Sequence, residues 1–169
     1  DPRLLPEARV IRGVSYNEVF QMADHGAKVI HPRAVEIAMR GNVPLIVRNT
    51  ASDASGTRIS ADARAEETQD VLSGIAYAGG RVQVKVSGMT AVSEKDLLGS
   101  LAAAGISIDL INIFPESVVV TIDEDRTEKA KALLNGLKLD YEIIGGLGKV
   151  SAIGERMRGV PGVMARIIR

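Results

Sequence analysis

The 169-residue chain has no cysteine. That excludes a disulfide framework, a thiolate nucleophile and any cysteine-based metal site, and it fits a reducing compartment such as the cytoplasm. Aromatic residues are scarce, with three tyrosines, two phenylalanines and no tryptophan. So few rings cannot build a base-stacking platform for single-stranded nucleic acid. Neither sign of charge is in excess: 21 basic and 21 acidic residues give a formal net charge of zero. A nucleic-acid or membrane-surface binder normally carries a basic excess or patch. No apolar run approaches the roughly 20 residues of a membrane-spanning helix. Residues 1–9, DPRLLPEAR, lack the charged-then-apolar layout of a signal peptide. The two histidines, His25 and His31, have no further His or Cys to complete a metal-ligand set.

What is present is an ordinary globular balance, 46% hydrophobic and 25% charged. At this length the chain can bury a real core in one or two domains. The most informative stretch is residues 15–50, SYNEVFQMADHGAKVIHPRAVEIAMRGNVPLIVRNT. Ser15 with Glu18 three positions on spells a capping box, Val14 and Val19 form the matching staple, and Gly26 supplies a left-handed stop. A second helix opens at Pro32, where the missing N–H does no harm, with His31 as its entry residue. Val35, Ala38 and Met39 give that helix an apolar stripe, and Gly41 ends it. Residues 44–47 read as a short buried strand, and residues 50–56 as a polar turn. Patterning then fades, and a domain boundary is expected near residues 60–70.

Beyond it the periods alternate. Val82, Val84 and Val86 alternate with polar residues, as in a half-buried strand. Ser93 is positioned to cap a helix with the stripe Leu97, Leu98, Leu101 and Ala104, ended by Gly105. Residues 106–114 and 117–122 read as two strands joined around Pro115 and Glu116. A second helix from Asp125 points Ala130, Leu133, Leu134 and Leu137 inward, and residues 139–144 form a fourth strand. The order β-α-β-β-α-β is the split-βαβ, ferredoxin-like plan, so the fold class expected is α/β (α+β). The pattern then restarts, with a strand at 149–153 and a helix in 160–169, as though a second unit began there.

Several residues invite a chemical reading. Lys28, on a loop before a helix, is either a solvated surface charge or a phosphate contact at a helix N-terminus. The run Gly145–Lys149 superficially resembles a phosphate loop, but Val150 follows where Ser or Thr is needed, so it reads as a flexible connection. Asp123, Glu124 and Asp125 sit at a helix start, where acids cap and favour the dipole. Asp109 interrupts an apolar strand; it either faces solvent or presents a carboxylate to an ammonium group.

The GAKVIHPRAVEIA run at 26–38, with DPR at 1–3 and NVPLIVR at 42–48, closely resembles the end of the catalytic domain of aspartokinases. SGIA at 73–76, IDLINIFP at 108–115, GKVS at 148–151 and VPGV at 160–163 resemble the regulatory region of the same family. That region is built of ACT domains, amino-acid-binding βαββαβ units. The resemblance implies three parts: residues 1–65 from the catalytic domain, 66–147 a first ACT domain, and 148–169 the beginning of a truncated second. It implies a parent enzyme that transfers the ATP γ-phosphoryl group to the β-carboxylate of aspartate, with Mg. Arg3, Lys28 and Val29 match positions that touch ATP in the family. The motifs of the aspartate pocket are absent, so the chain alone is expected to be inactive, with no nucleotide bound. Ser87, Met89, Thr90, Ser107, Ile108 and Asp109 align with the effector site. The implied effector is diaminopimelate, lysine or threonine, held where ACT units of a homodimer meet. Many members carry Asp-x-Pro-Gly in the first loop, where this chain has Met89-Thr-Ala-Val92, and a Gln on the second strand, where it has Ile113. A free-standing amino-acid-binding module with a helical adaptor is the competing reading. It leaves the Gly26–Ala38 run without a purpose.

Overall fold

The computed structural model describes residues 4–63, 71–157 and 159–168, and at 91–94 the backbone only. Two compact units divide the chain, one of residues 1–77 with 150–169 and the other of residues 78–149. Residues 150–169 group by contacts with the first unit.

The first unit opens with β1 (Gly13–Val14) and α1 (Tyr16–Asp24). Ser15 caps α1 in a complete capping box, its side chain accepting from the Glu18 N–H while the Glu18 carboxylate accepts from Ser15 N–H at 3.3 Å. Gly26 takes φ 111°, a conformation closed to most side chains, and turns the chain toward α2 (Pro32–Arg40). His31 caps α2 as expected: its Nδ1 accepts from the Arg33 N–H at 3.2 Å. Val35 and Ala38 are buried, whereas Met39 is exposed, because two consecutive residues of a single helix turn cannot both face a narrow contact. After Gly41 it is Asn42 that adopts the left-handed conformation, with φ 47°.

The strand expected to be buried, β2 (Leu45–Val47), is instead an edge strand with Ile46 67% exposed. It pairs antiparallel with β3 (Thr57–Ile59), which pairs parallel with β1. This three-stranded sheet has the order β1-β3-β2. Val14, Tyr16, Val19, Val35, Ala38 and Ile59 make its core.

The second unit runs β4 (Gly74–Ser87), α3 (Ala91–Ala103), β5 (Leu110–Phe114), β6 (Ser117–Asp123), α4 (Thr127–Gly136) and β7 (Asp140–Ile153), with the outer ends of β4 and β7 in the first unit. The sheet order is β5-β6-β4-β7, with β6 antiparallel to both β4 and β5. Val82, Val84 and Val86 are buried on one face, opposite Ile122, Val120 and Val118 in register. Leu97, Leu101, Ala130 and Leu134 cover them from the two helices, with Met89 and Ile106 at the margin.

Several expectations shift here. Helix α3 starts at Ala91, so Ser93 lies inside its first turn. Residues 106–109 precede β5 without strand pairing of their own, although Asp109 N–H donates to the Thr121 carbonyl at 2.8 Å. Helix α4 follows a short 3-10 turn at Glu124–Arg126, and Leu137 beyond its end is 41% exposed. Most consequentially, Gly145–Lys149 is no loose connection: β7 passes through it unbroken to Ile153. Glycine lacks a side chain to pack but tolerates both extended backbone and the left-handed φ of 69° at Gly146, so pairing beside β4 overrides a weak local preference.

Candidate functional site

Three groups of residues are the candidates for a site. The first is the Lys28 loop. Helix α1 ends at Asp24, and Ala27 N–H donates back to the Met22 carbonyl at 2.8 Å. Val29 N–H donates to the Ala27 carbonyl at 2.9 Å, and His31 starts α2 two residues on. The loop is thus tied at both ends, leaving Lys28 exposed and Val29 72% exposed. A cavity of about 310 Å³ lies beside it, lined by Val29, Ile30, Met22, Ile11, Val14 and Thr57 among others. An ammonium group beside a helix N-terminus and an apolar hollow can hold phosphate and a flat apolar group respectively. Arg3 lies outside the described residues.

The second group follows β4. Ser87 ends the strand opposite Ser117, Gly88 turns with φ 69°, and Met89 N–H donates to the Glu116 carbonyl at 3.1 Å. The Met89 side chain is 3% exposed and belongs to the core, so it supplies packing and a fixed backbone, while Thr90 is exposed just before α3.

The third group surrounds Asp109. Ser107 is exposed, and Ile108 packs on the core. The Asp109 carboxylate meets an ammonium, as one sequence reading held, but the ammonium is the chain's own: Lys149 Nζ donates to Oδ1 at 2.5 Å. Arg81 Nε stands 3.5 Å from Oδ2, and Arg81 Nη1 pairs with Asp123, its register partner across β4 and β6. Asp123 therefore neutralises an arginine; no side-chain hydrogen bond caps the turn that follows it. Lys149, Arg81 and Asp109 are 12%, 19% and 23% exposed, enough shielding for these charges to count.

The second and third groups do not meet within one chain. Ser87 pairs at the Ser117 end of β6, whereas Asp109 bonds Thr121, four residues along the strand and roughly 13 Å away.

The sequence reading missed the roles of Arg81, Asp123 and Lys149, and the wider role of Glu18. Fully buried, Glu18 accepts from Ser15 Oγ (3.2 Å), from the Ser73 hydroxyl, and from Glu155 N–H (3.1 Å), beyond its local cap. An acidic residue that also satisfies a capping box gives no sequence signal for such remote partners. Among the described residues no group of three His, Asp or Glu side chains could hold a metal ion. None of their helices is long and apolar enough to cross a membrane.

The profile of the Amino acid kinase family matches residues 1–49. Aspartokinase 1 of Bacillus subtilis is 37% identical over 174 residues, spanning 99% of this chain and 43% of the relative. Aspartokinase of Geobacillus stearothermophilus is likewise 37% identical over 177 residues, with the same shares. The chain belongs to the aspartokinase family. It spans under half the length of these relatives. Among solved structures, Clostridium acetobutylicum aspartate kinase superposes with a TM-score of 0.87 at 23% identity, over 99% of this chain and 41% of that one, which establishes the shared fold. Escherichia coli aspartokinase III in complex with lysine and aspartate matches with a TM-score of 0.76 at 25% identity, over all of this chain and 40% of that one.

Proposed function

We propose that the chain is the part of an aspartate kinase that closes the nucleotide site and senses an amino-acid effector. The whole enzyme would transfer the γ-phosphoryl group of ATP to the β-carboxylate of aspartate in the cytoplasm, opening lysine, threonine, methionine and diaminopimelate synthesis. Such transfer depends on positioning and on neutralising phosphate charge. Lys28 and Val29 contribute here, with Arg3, to ATP binding, Mg accompanying the nucleotide. On this reading the chain alone is inactive. Residues 1–65 supply the catalytic-domain end, 66–147 a ferredoxin-like ACT unit, and 148–169 the start of another.

The observation that carries the sensing role is the sheet order β5-β6-β4-β7 with two helices covering one face, the arrangement expected of an ACT unit. The effector, a diaminopimelate, lysine or threonine zwitterion, would take backbone donors from the Ser87–Thr90 turn and a carboxylate from Asp109, with Ser107 and Ile108 alongside. The roughly 13 Å between these groups along β6 means that two copies must combine them. Strand β5 suits the pairing: it is an edge strand with Leu110, Ile111, Ile113 and Phe114 between 43% and 56% exposed. An apolar edge with unpaired backbone groups seeks another strand. Escherichia coli aspartokinase III has been solved with lysine, which supports an amino-acid effector for this chain.

Sedimentation and calorimetric titration with the three amino acids test the reading. The wild-type chain is expected to be a dimer that binds one of them saturably. Ile113→Lys should yield monomers, and Asp109→Ala should abolish binding. A wild-type monomer that binds none would overturn it.

A further inference from the structure

The effector reading gives Asp109 one task, to receive an ammonium group. Its carboxylate already has one. Lys149 Nζ lies 2.5 Å from Oδ1, on a side chain only 12% exposed and carried by β7, whose backbone holds it in place. Among the described residues, the charged groups recorded against the Asp109 carboxylate are both cations. Arg81 offsets Asp123 and approaches Oδ2, so two carboxylates face two cations. A second ammonium arriving at Asp109 would sit against Lys149 with no carboxylate of its own, and like charges that close repel. One detail marks the cluster as adjustable. Arg81 Nε and Asp109 Oδ2 are both buried and, among the described residues, make no hydrogen bond, although they stand 3.5 Å apart. A small shift of the carboxylate would exchange one cation for the other as its donor, freeing Lys149 or recapturing it.

We propose that Lys149 is a tethered occupant of the ammonium subsite, and that an amino-acid effector binds this unit only by displacing Lys149 Nζ from Asp109. This deepens the effector reading and rests on it. A tethered amine competes with an effective concentration set by its attachment, here a strand and a short side chain, so it wins against a dilute free ligand. Lys149 thereby sets both the threshold and the chemistry of the response: the ligand must bring a primary ammonium able to donate as Lys149 does. When displaced, the lysine side chain lengthens into solvent from β7 and loses its bond to the element before β5.

Lys149→Ala empties the subsite and Lys149→Gln replaces the ammonium by a neutral donor; the second serves if the first does not fold, as judged by its circular dichroism melt. Calorimetry with L-lysine, diaminopimelate and L-threonine is expected to show one of them binding at least 10-fold more tightly to either variant than to wild type. Propylammonium, a free analogue of the missing side chain, should raise the melting temperature of Lys149→Ala saturably, and tetramethylammonium, which cannot donate a hydrogen bond, should not. Equal affinity of wild type and both variants would overturn the tethered-occupant proposal and leave Asp109 as an effector carboxylate. Absence of binding by all three proteins, with no propylammonium effect, would overturn the effector reading and the proposal together.

Discussion

Glu18 shows how one side chain can hold one unit together from three places in the sequence. Its carboxylate joins the start of α1 through Ser15, the residue before β4 through Ser73, and the turn after β7 through the Glu155 N–H. Asn17 adds a bond from Nδ2 to the Glu155 carboxylate at 2.9 Å. The capping box was legible because Ser15 and Glu18 are three residues apart and the motif is local. The partners at 73 and 155 were not, because nothing in a periodic pattern couples positions 55 and 137 residues apart. Glu18→Gln preserves the shape but turns an acceptor pair into one acceptor and one donor, and each oxygen now accepts from a backbone N–H, of Ser15 or Glu155, that can only donate. Leaving buried donors unpaired should lower unfolding stability by about 3 kcal/mol, readable as a shift in the urea midpoint. A change below about 0.5 kcal/mol would mean that water replaces the carboxylate.

At the scale of elements, legibility followed length and period. Val82, Val84 and Val86 declared β4 by alternation, and Leu97 and Leu101 declared α3 by helical spacing. Strands of two and three residues, β1 and β3, carry too little pattern to be read; their pairing depends on residues 13–14 meeting 58–59. The outer half of β7 was hidden by its glycines and is fixed by neighbours instead, with Ser73 N–H donating to the Ile153 carbonyl at 2.8 Å. Gly154, just beyond, shows how close that approach is. A Cβ there would lie 2.3 Å from the Val71 carbonyl oxygen and 3.1 Å from Leu72 Cα, both backbone atoms that cannot swing aside. Gly154→Ala should therefore force these segments apart and cost about 2 kcal/mol, more than helix or strand preference alone would give. Hydrogen exchange should quicken first at Ser73 and Glu155, whose N–H bonds depend on this approach. Unchanged protection there would show that the backbone gives way without loss.

For the whole molecule, the described residues hold two hydrophobic clusters with no shared residue. Where one module hands over to the other was harder to read, since β4 and β7 each cross the division at their outer ends, a long-range arrangement that no local composition change marks. The candidate site was legible only in its acidic member: Asp109 stood out as a carboxylate among apolar neighbours, whereas Lys149 looked like part of a glycine-rich link. Separate cores make a separable prediction. Leu134 is 1% exposed in the second unit and Ile59 is 1% exposed in the first. Truncating either to alanine opens a cavity worth about 3 kcal/mol. Cores that open as distinct cooperative units should answer separately. Leu134→Ala is expected to raise amide exchange through residues 82–139 while Val14, Val19 and Val35 keep their protection, and Ile59→Ala should do the converse. Equal loss of protection in both clusters from either substitution would show one cooperative body, with β4 and β7 transmitting every perturbation across the division.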